Sequence, residues 1–165
     1  MIRKMIVLGI FVLLSGCYFD YPLTAPTEDF DPSLEGVWHD SEGEVSVEVQ
    51  SAADGYRLRY QDKDVTYLFD NAAILEIDET YFLQARFYGE VAPDGTIDDS
   101  PKDHPWLVVA LERKADTVIM RVPNADDQLR LQDFKNAEEF RSAFAEAIHR
   151  DGFFGDPLIF QKAAP

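Results

Sequence analysis

A single cysteine, Cys17, stands in this chain of 165 residues, so no intrachain disulfide can staple the fold. Long apolar runs are missing as well. The longest, residues 5–14, would reach about 15 Å as a helix, half of a hydrocarbon core about 30 Å thick, so no mature membrane span is expected. Basic residues are scarce: 15 Lys and Arg face 31 Asp and Glu, a net charge of −16. Nucleic acid is therefore excluded as an expected partner, because its binding begins with neutralised phosphates. Catalytic signatures are also lacking. His39, His104 and His149 are widely separated, and no His-Glu-x-x-His pair, Gly-x-Ser-x-Gly nucleophile turn or Gly-rich phosphate loop occurs. No enzyme, metal or cofactor is expected.

The N-terminus carries a clear pattern. Arg3 and Lys4 precede the apolar run, and small residues follow it, as in an export signal. Leu14-Ser15-Gly16-Cys17 resembles the lipobox of bacterial lipoproteins. That resemblance implies cleavage before Cys17, acylation of Cys17, and anchoring through its acyl chains in the cell envelope. It also implies the periplasmic face of the outer membrane where the source cell has two membranes, since Tyr18 rather than aspartate follows the cysteine. Removing Arg3 and Lys4 with the signal leaves 13 basic residues against 31 acidic, a net charge of −18. An anionic lipid surface would repel such a body, so attachment is expected through the acyl chains.

Three segments follow from this reading: a signal peptide over 1–16, an acylated cysteine with a flexible tether over 17–31, and a single domain over 32–165. Pro22 and Pro26 lie within the tether, which shows no persistent period and reads as extended chain. Residues 18–31 would span about 45 Å at full stretch. Tyr18, Phe19 and Tyr21 suit either a lipid interface or packing onto the domain.

The remainder reads as successive short strands. Val45, Val47 and Val49 alternate with polar residues, and Tyr56, Leu58 and Tyr60 alternate with Arg57 and Arg59, with Asp54-Gly55 as the turn between them. Strands are also expected over 65–69, 74–77, 81–88, 106–111 and 117–122, with a shorter one over 128–131. Asp70-Asn71 reads as a turn. Residues 90–104 form a polar excursion. One helix is expected after Asn136, where Asn136 and Glu139 form a capping box and Ala137, Phe140, Phe144, Ala147 and Ile148 form an apolar stripe. Gly152 supplies a stop, and residues 158–160 a last strand. The expected fold is mostly β, an antiparallel meander forming a barrel or strongly bent sheet, with one C-terminal helix and a short final strand.

Gly36-Val37-Trp38, at the head of this meander, resembles the Gly-x-Trp signature of lipocalin-like (calycin-like) barrels. The whole pattern is similar to small uncharacterised bacterial lipoproteins with such a domain. The resemblance implies that Gly36 permits a close backbone approach and that Trp38 closes one end of the barrel beside an arginine from a late strand. Arg121 and Arg130 are both candidates for that arginine.

Two functions are carried forward. The first is a non-enzymatic envelope role through protein interaction or structure, with the acidic excursion bearing Asp94, Asp98, Asp99 and Asp103 as the available loop. The alternative is binding of a small apolar ligand inside the barrel, where Tyr56, Leu58, Tyr60, Tyr81, Leu83 and Phe87 line either a pocket or a filled core. Asp94-Gly95 does not extend to a calcium loop of the EF-hand kind, because Ala92 and Pro101 stand where oxygen ligands belong.

Overall fold

A computed structural model describes residues 18–24, 31–53, 55–63, 65–99, 105–124 and 127–164. The signal segment, Cys17, residues 25–30, Asp103, His104 and the Arg130 side chain lie outside the described residues. Among the described residues, no helix is long and apolar enough to cross a membrane.

The strands are β1 (Tyr18–Phe19), β2 (Gly36–Asp40), β3 (Val45–Ala52), β4 (Gly55–Asp62), β5 (Val65–Ile77), β6 (Thr80–Val91), β7 (Ile97–Asp98), β8 (Trp106–Lys114), β9 (Thr117–Arg121) and β10 (Leu158–Lys162), with one helix, α1 (Ala137–Ala147), before the last. Eight of them close into an antiparallel barrel in the order β2-β3-β4-β5-β6-β8-β9-β10, sealed by β10 against β2. Where neighbouring strands overlap, closure leaves the eight without a free edge. The two short strands extend neighbours: β1 pairs with β8 beyond the end of β9, and β7 pairs with β6 beyond the end of β8. Gly89 makes the second pairing possible, since a Cβ there would lie 2.7 Å from the Asp98 carbonyl oxygen.

Alternation sends one set of side chains inward, among them Trp38, Val49, Leu58, Phe69, Leu83, Val109, Val118 and Phe160. The outer face of β6 and β8 is covered too. Phe82, Val108 and Ala110 meet Phe140, Phe144 and Ala147 of α1, together with Phe19 and Leu23 from the N-terminal segment. This is why residues 82–85 and 107–110 are buried without a break: both faces of the wall are covered there. Asn136 caps the helix as its sequence implies, its Oδ1 accepting from the Glu139 amide at 2.9 Å, whereas Glu139 Oε2 accepts from the amide of Lys135, one residue before the cap, at 2.8 Å.

Three expectations are corrected. Residues 65–77 form one strand rather than two, because Asp70-Asn71 makes a bulge. Asn71 takes φ +49°, and Asp70 is gripped by Arg86 through Nε at 2.8 Å and Nη2 at 2.7 Å, which keeps the chain on β6. Residues 128–131 are a 3-10 turn rather than a strand. Asp127 caps it by accepting from the Leu129 amide at 2.8 Å, and Leu129 is buried while Leu131 is 82% exposed. Finally, residues 18–24 belong to the domain rather than to a free tether. Leu23 is wholly buried, and β1 is hydrogen-bonded into the sheet. Of the two settings expected for Tyr18 and Phe19, it is packing onto the domain that the structure has.

Candidate functional site

The interior is filled unevenly along the barrel axis. At the end where β1 docks, Tyr18 inserts its ring 5.7 Å from Phe87 and 6.5 Å from Phe69, and Tyr67 lies 6.0 Å from Tyr60 and 6.2 Å from Phe87. Contacting aromatics occupy this end. Toward the other end a cavity of about 40 Å³ remains, walled by Val47, Leu58, Leu83, Leu111, Val118 and Met120 and roofed by Leu34 and Trp38. Its lining is entirely apolar. A space this size exceeds one water but falls well short of the cavity of about 150 Å³ that admits benzene, and with no polar partner it stays dry.

The roof is a 3-10 turn, Pro32–Leu34, leading into β2. Proline at its first position and the Asp31 carboxylate accepting from the Ser33 amide at 2.9 Å start the turn. Leu34 then points onto the cavity, only 5% exposed, and its carbonyl accepts from Trp38 Nε1 at 2.8 Å. Two cations hold the turn from outside. Arg113 Nη1 donates to Asp31 Oδ2 at 2.7 Å and also contacts Ser33 Oγ, and Lys162 Nζ donates to the Ser33 carbonyl at 2.8 Å. Hydrogen bonds from the Ser33 hydroxyl and amide, aided by Arg113, hold the Asp31 carboxyl below its ordinary value.

Outside the turn lies a depression of about 350 Å³, lined by Asp31, Leu34, Ile74, Tyr81, Leu111 and Arg113. Leu34 and Leu111 line both spaces, so this depression is the mouth nearest the interior cavity.

The residues expected from sequence fall in different places. Leu58 and Leu83 line the cavity, whereas Tyr56, Tyr60 and Phe87 belong to the packed interior. Tyr81 stands at the mouth, 53% exposed. Trp38 is buried and lines the cavity. Its cation, however, is Lys162, 5.3 Å from the ring centroid, and not Arg121. Register explains the exchange: Lys162 lies opposite Trp38 across β10 and β2, whereas Arg121 is one residue out of phase with inward Met120 and approaches Glu112 at 3.7 Å. Gly36 adopts φ +122°, and a Cβ there would meet the Lys162 chain at 3.3 Å.

Among the described residues, the acidic excursion does not converge. Asp94 accepts from the Thr96 amide at 2.9 Å within its own turn, Asp98 lies opposite Glu90, and Asp99 is exposed. His39 lies in β2, and His149 beyond α1 approaches Asp78 at 2.9 Å. Among the described residues no group of three or more His, Cys, Asp or Glu could hold a metal ion. Arg113, Lys162 and Asp31 went unnoticed in the sequence. Arg113 had a readable signal, since it continues the inward phase of Leu107, Val109 and Leu111, and Asp31-Pro32-Ser33 is a turn start.

Comparison with known proteins finds no matching family model, curated sequence or solved structure. The eight-stranded antiparallel barrel with its C-terminal helix is nevertheless consistent with a calycin-like fold.

Proposed function

We propose that this barrel binds a small apolar ligand in its interior, at the end roofed by Leu34 and Trp38. The observation carrying this reading is the apolar cavity, which shares Leu34 and Leu111 with a surface depression of about 350 Å³. The mouth already falls within the range of roughly 300–1,000 Å³ typical of small-molecule sites. The interior as it stands would take a group of one or two carbons, and a larger ligand enters by displacing Leu34.

This ranks ligand binding above the protein-interaction or structural role expected first from the acidic surface. The setting we propose is the bacterial cell envelope, with Cys17 acylated and the barrel held at the membrane, on the periplasmic face of the outer membrane where two membranes exist.

The test is a titration with short linear alcohols, followed through the methyl resonances of Leu58, Leu83 and Val118. A single saturable transition at all three, abolished by filling the cavity with Leu58→Phe, is the expected result. Shifts that never saturate, or that persist unchanged in Leu58→Phe, would overturn the proposal.

A further inference from the structure

Resting on the envelope setting proposed above, with Cys17 acylated, we propose that the outer face of β9, β10 and β2 lies against an anionic lipid surface. The barrel is then held on its side rather than carried at the end of a tether.

The docked N-terminal segment leaves little slack. β1 and β9 pair with the same edge of β8, at Trp106–Leu107 and at Ala110–Lys114, and both run antiparallel to it. β1 therefore continues the line of β9, and the chain enters it from the side of Arg121. Tyr18 is fixed in the wall with its ring against Phe69 and Phe87, and the buried Leu23 and the Gln84–Thr24 contact hold the rest of the segment. Cys17 precedes Tyr18 by a single Cα–Cα step, about 3.8 Å. Acyl chains on Cys17 would thus start at the wall, beside the end of β9.

The wall at that place differs from the rest of the body. Val118, Phe160 and Trp38 point inward, so Ile119 and Arg121 of β9, Ile159 and Gln161 of β10, and Val37 and His39 of β2 point outward. None of these is acidic, although the chain has 31 Asp and Glu against 15 Lys and Arg. The nearest acid across the sheet, Glu112 opposite Ile119, is already paired with Lys114 at 2.7 Å and approached by Arg121 at 3.7 Å. Ile119 and Ile159 face each other across β9 and β10, and Ile159 is 46% exposed. The apolar layer under α1 includes neither of them.

Other orientations meet the lipid with the wrong sign. Docking on one end of the barrel would press the exposed Glu42 and Glu44 of the β2–β3 turn against lipid phosphates, and docking on the other would press Asp78 and Glu79 of the β5–β6 turn. The side face carries Arg121 and an isoleucine pair instead. Its own affinity for lipid can be weak, because the acyl chains already keep it at the surface and make the contact intramolecular.

The experiment uses the lipidated chain in vesicles of phosphatidylethanolamine and phosphatidylglycerol that contain a nitroxide-labelled lipid. With Cys17 acylated, one added thiol takes a fluorophore, at Gln161→Cys on β10 or at Gln61→Cys on β4, the third strand on from β10 around the wall; both positions are exposed. Quenching should be several-fold stronger at position 161 than at 61. Ile159→Asp should remove most of that difference while the chain still floats with the vesicles. A floating chain quenched equally at both positions, or more at 61, would overturn the proposed face and leave the acyl anchor standing. A difference unaffected by Ile159→Asp would overturn the part assigned to the isoleucine pair. A chain that takes up no palmitate and stays behind when the vesicles float would overturn this inference together with the anchoring beneath it.

Discussion

The side-chain amide of Gln84 closes on the main chain of Thr24 in both directions: Nε2 donates to the Thr24 carbonyl at 2.8 Å, and Oε1 accepts from its amide at 3.0 Å. Gln84 is wholly buried on the outer face of β6, so each half of its amide is satisfied by a segment 60 residues away. The pair imitates a strand partner where the sheet provides none. Leu23, next in line, is buried by the same contact layer.

Gln84→Leu keeps the volume and removes both hydrogen bonds, leaving the Thr24 groups without their partner. The expected loss is about 1–3 kcal/mol in urea unfolding, accompanied by faster proteolysis within residues 18–24. An unchanged midpoint and an unchanged cleavage pattern would mean that this segment is held by apolar contacts alone.

Val118 lines the cavity from β9 and is 6% exposed. Val118→Ile adds one methylene toward a void of about 40 Å³. At roughly 24 cal/mol per Å³ of cavity, complete filling stabilises by about 1 kcal/mol, so a gain of up to that size is expected. The same variant should weaken binding of short alcohols. Destabilisation instead would show that the neighbouring side chains leave no usable room.

Tyr67 carries a pH prediction. Burial raises its phenol above the ordinary value, with the nearby Glu90 and Asp62 carboxylates adding to the shift. For an acid whose folded value is raised, the stabilising contribution is complete below the unfolded value of about 10 and is lost as pH rises through the folded one. Thermal midpoints should therefore fall above pH 10, and Tyr67→Phe should flatten that decline. The slope against pH is the readout, because the substitution also alters neutral stability. An identical slope in Tyr67→Phe would assign the alkaline loss elsewhere.

Cys17 is tested by metabolic labelling with palmitate in a bacterial host. Label is expected on the chain and should vanish on Cys17→Ser. Retention of label by that variant would move the attachment to another residue.

Much of this fold was legible. Strict alternation marked β3 and β4, since a period of two is a property of the strand itself. Asn136 with Glu139 marked the helix for an equally local reason. What escaped was non-local. Asp70-Asn71 has turn chemistry, but its ion pair with Arg86, 16 residues on, keeps the chain extended. Tyr18 and Phe19 look like tether residues until β8 offers them an edge. The cation over Trp38 depended on register between the first and last strands of the barrel wall. The cavity was less accessible still. Leu58 and Leu83 line it while Tyr56 and Tyr60, on the same face of the same strand as Leu58, do not; that division follows from how side chains of many strands interlock, which no single period encodes.

The seal between β10 and β2 also governs when this domain can form. Trp38 meets Lys162 across that seam, and Lys162 reaches back 129 residues to the Ser33 carbonyl. Ribosomal synthesis delivers Ser33 129 residues before the Lys162 that must cover it. Until β10 arrives the wall has two open edges, and the apolar interior faces water. High contact order of this kind slows folding and prolongs exposure to aggregation.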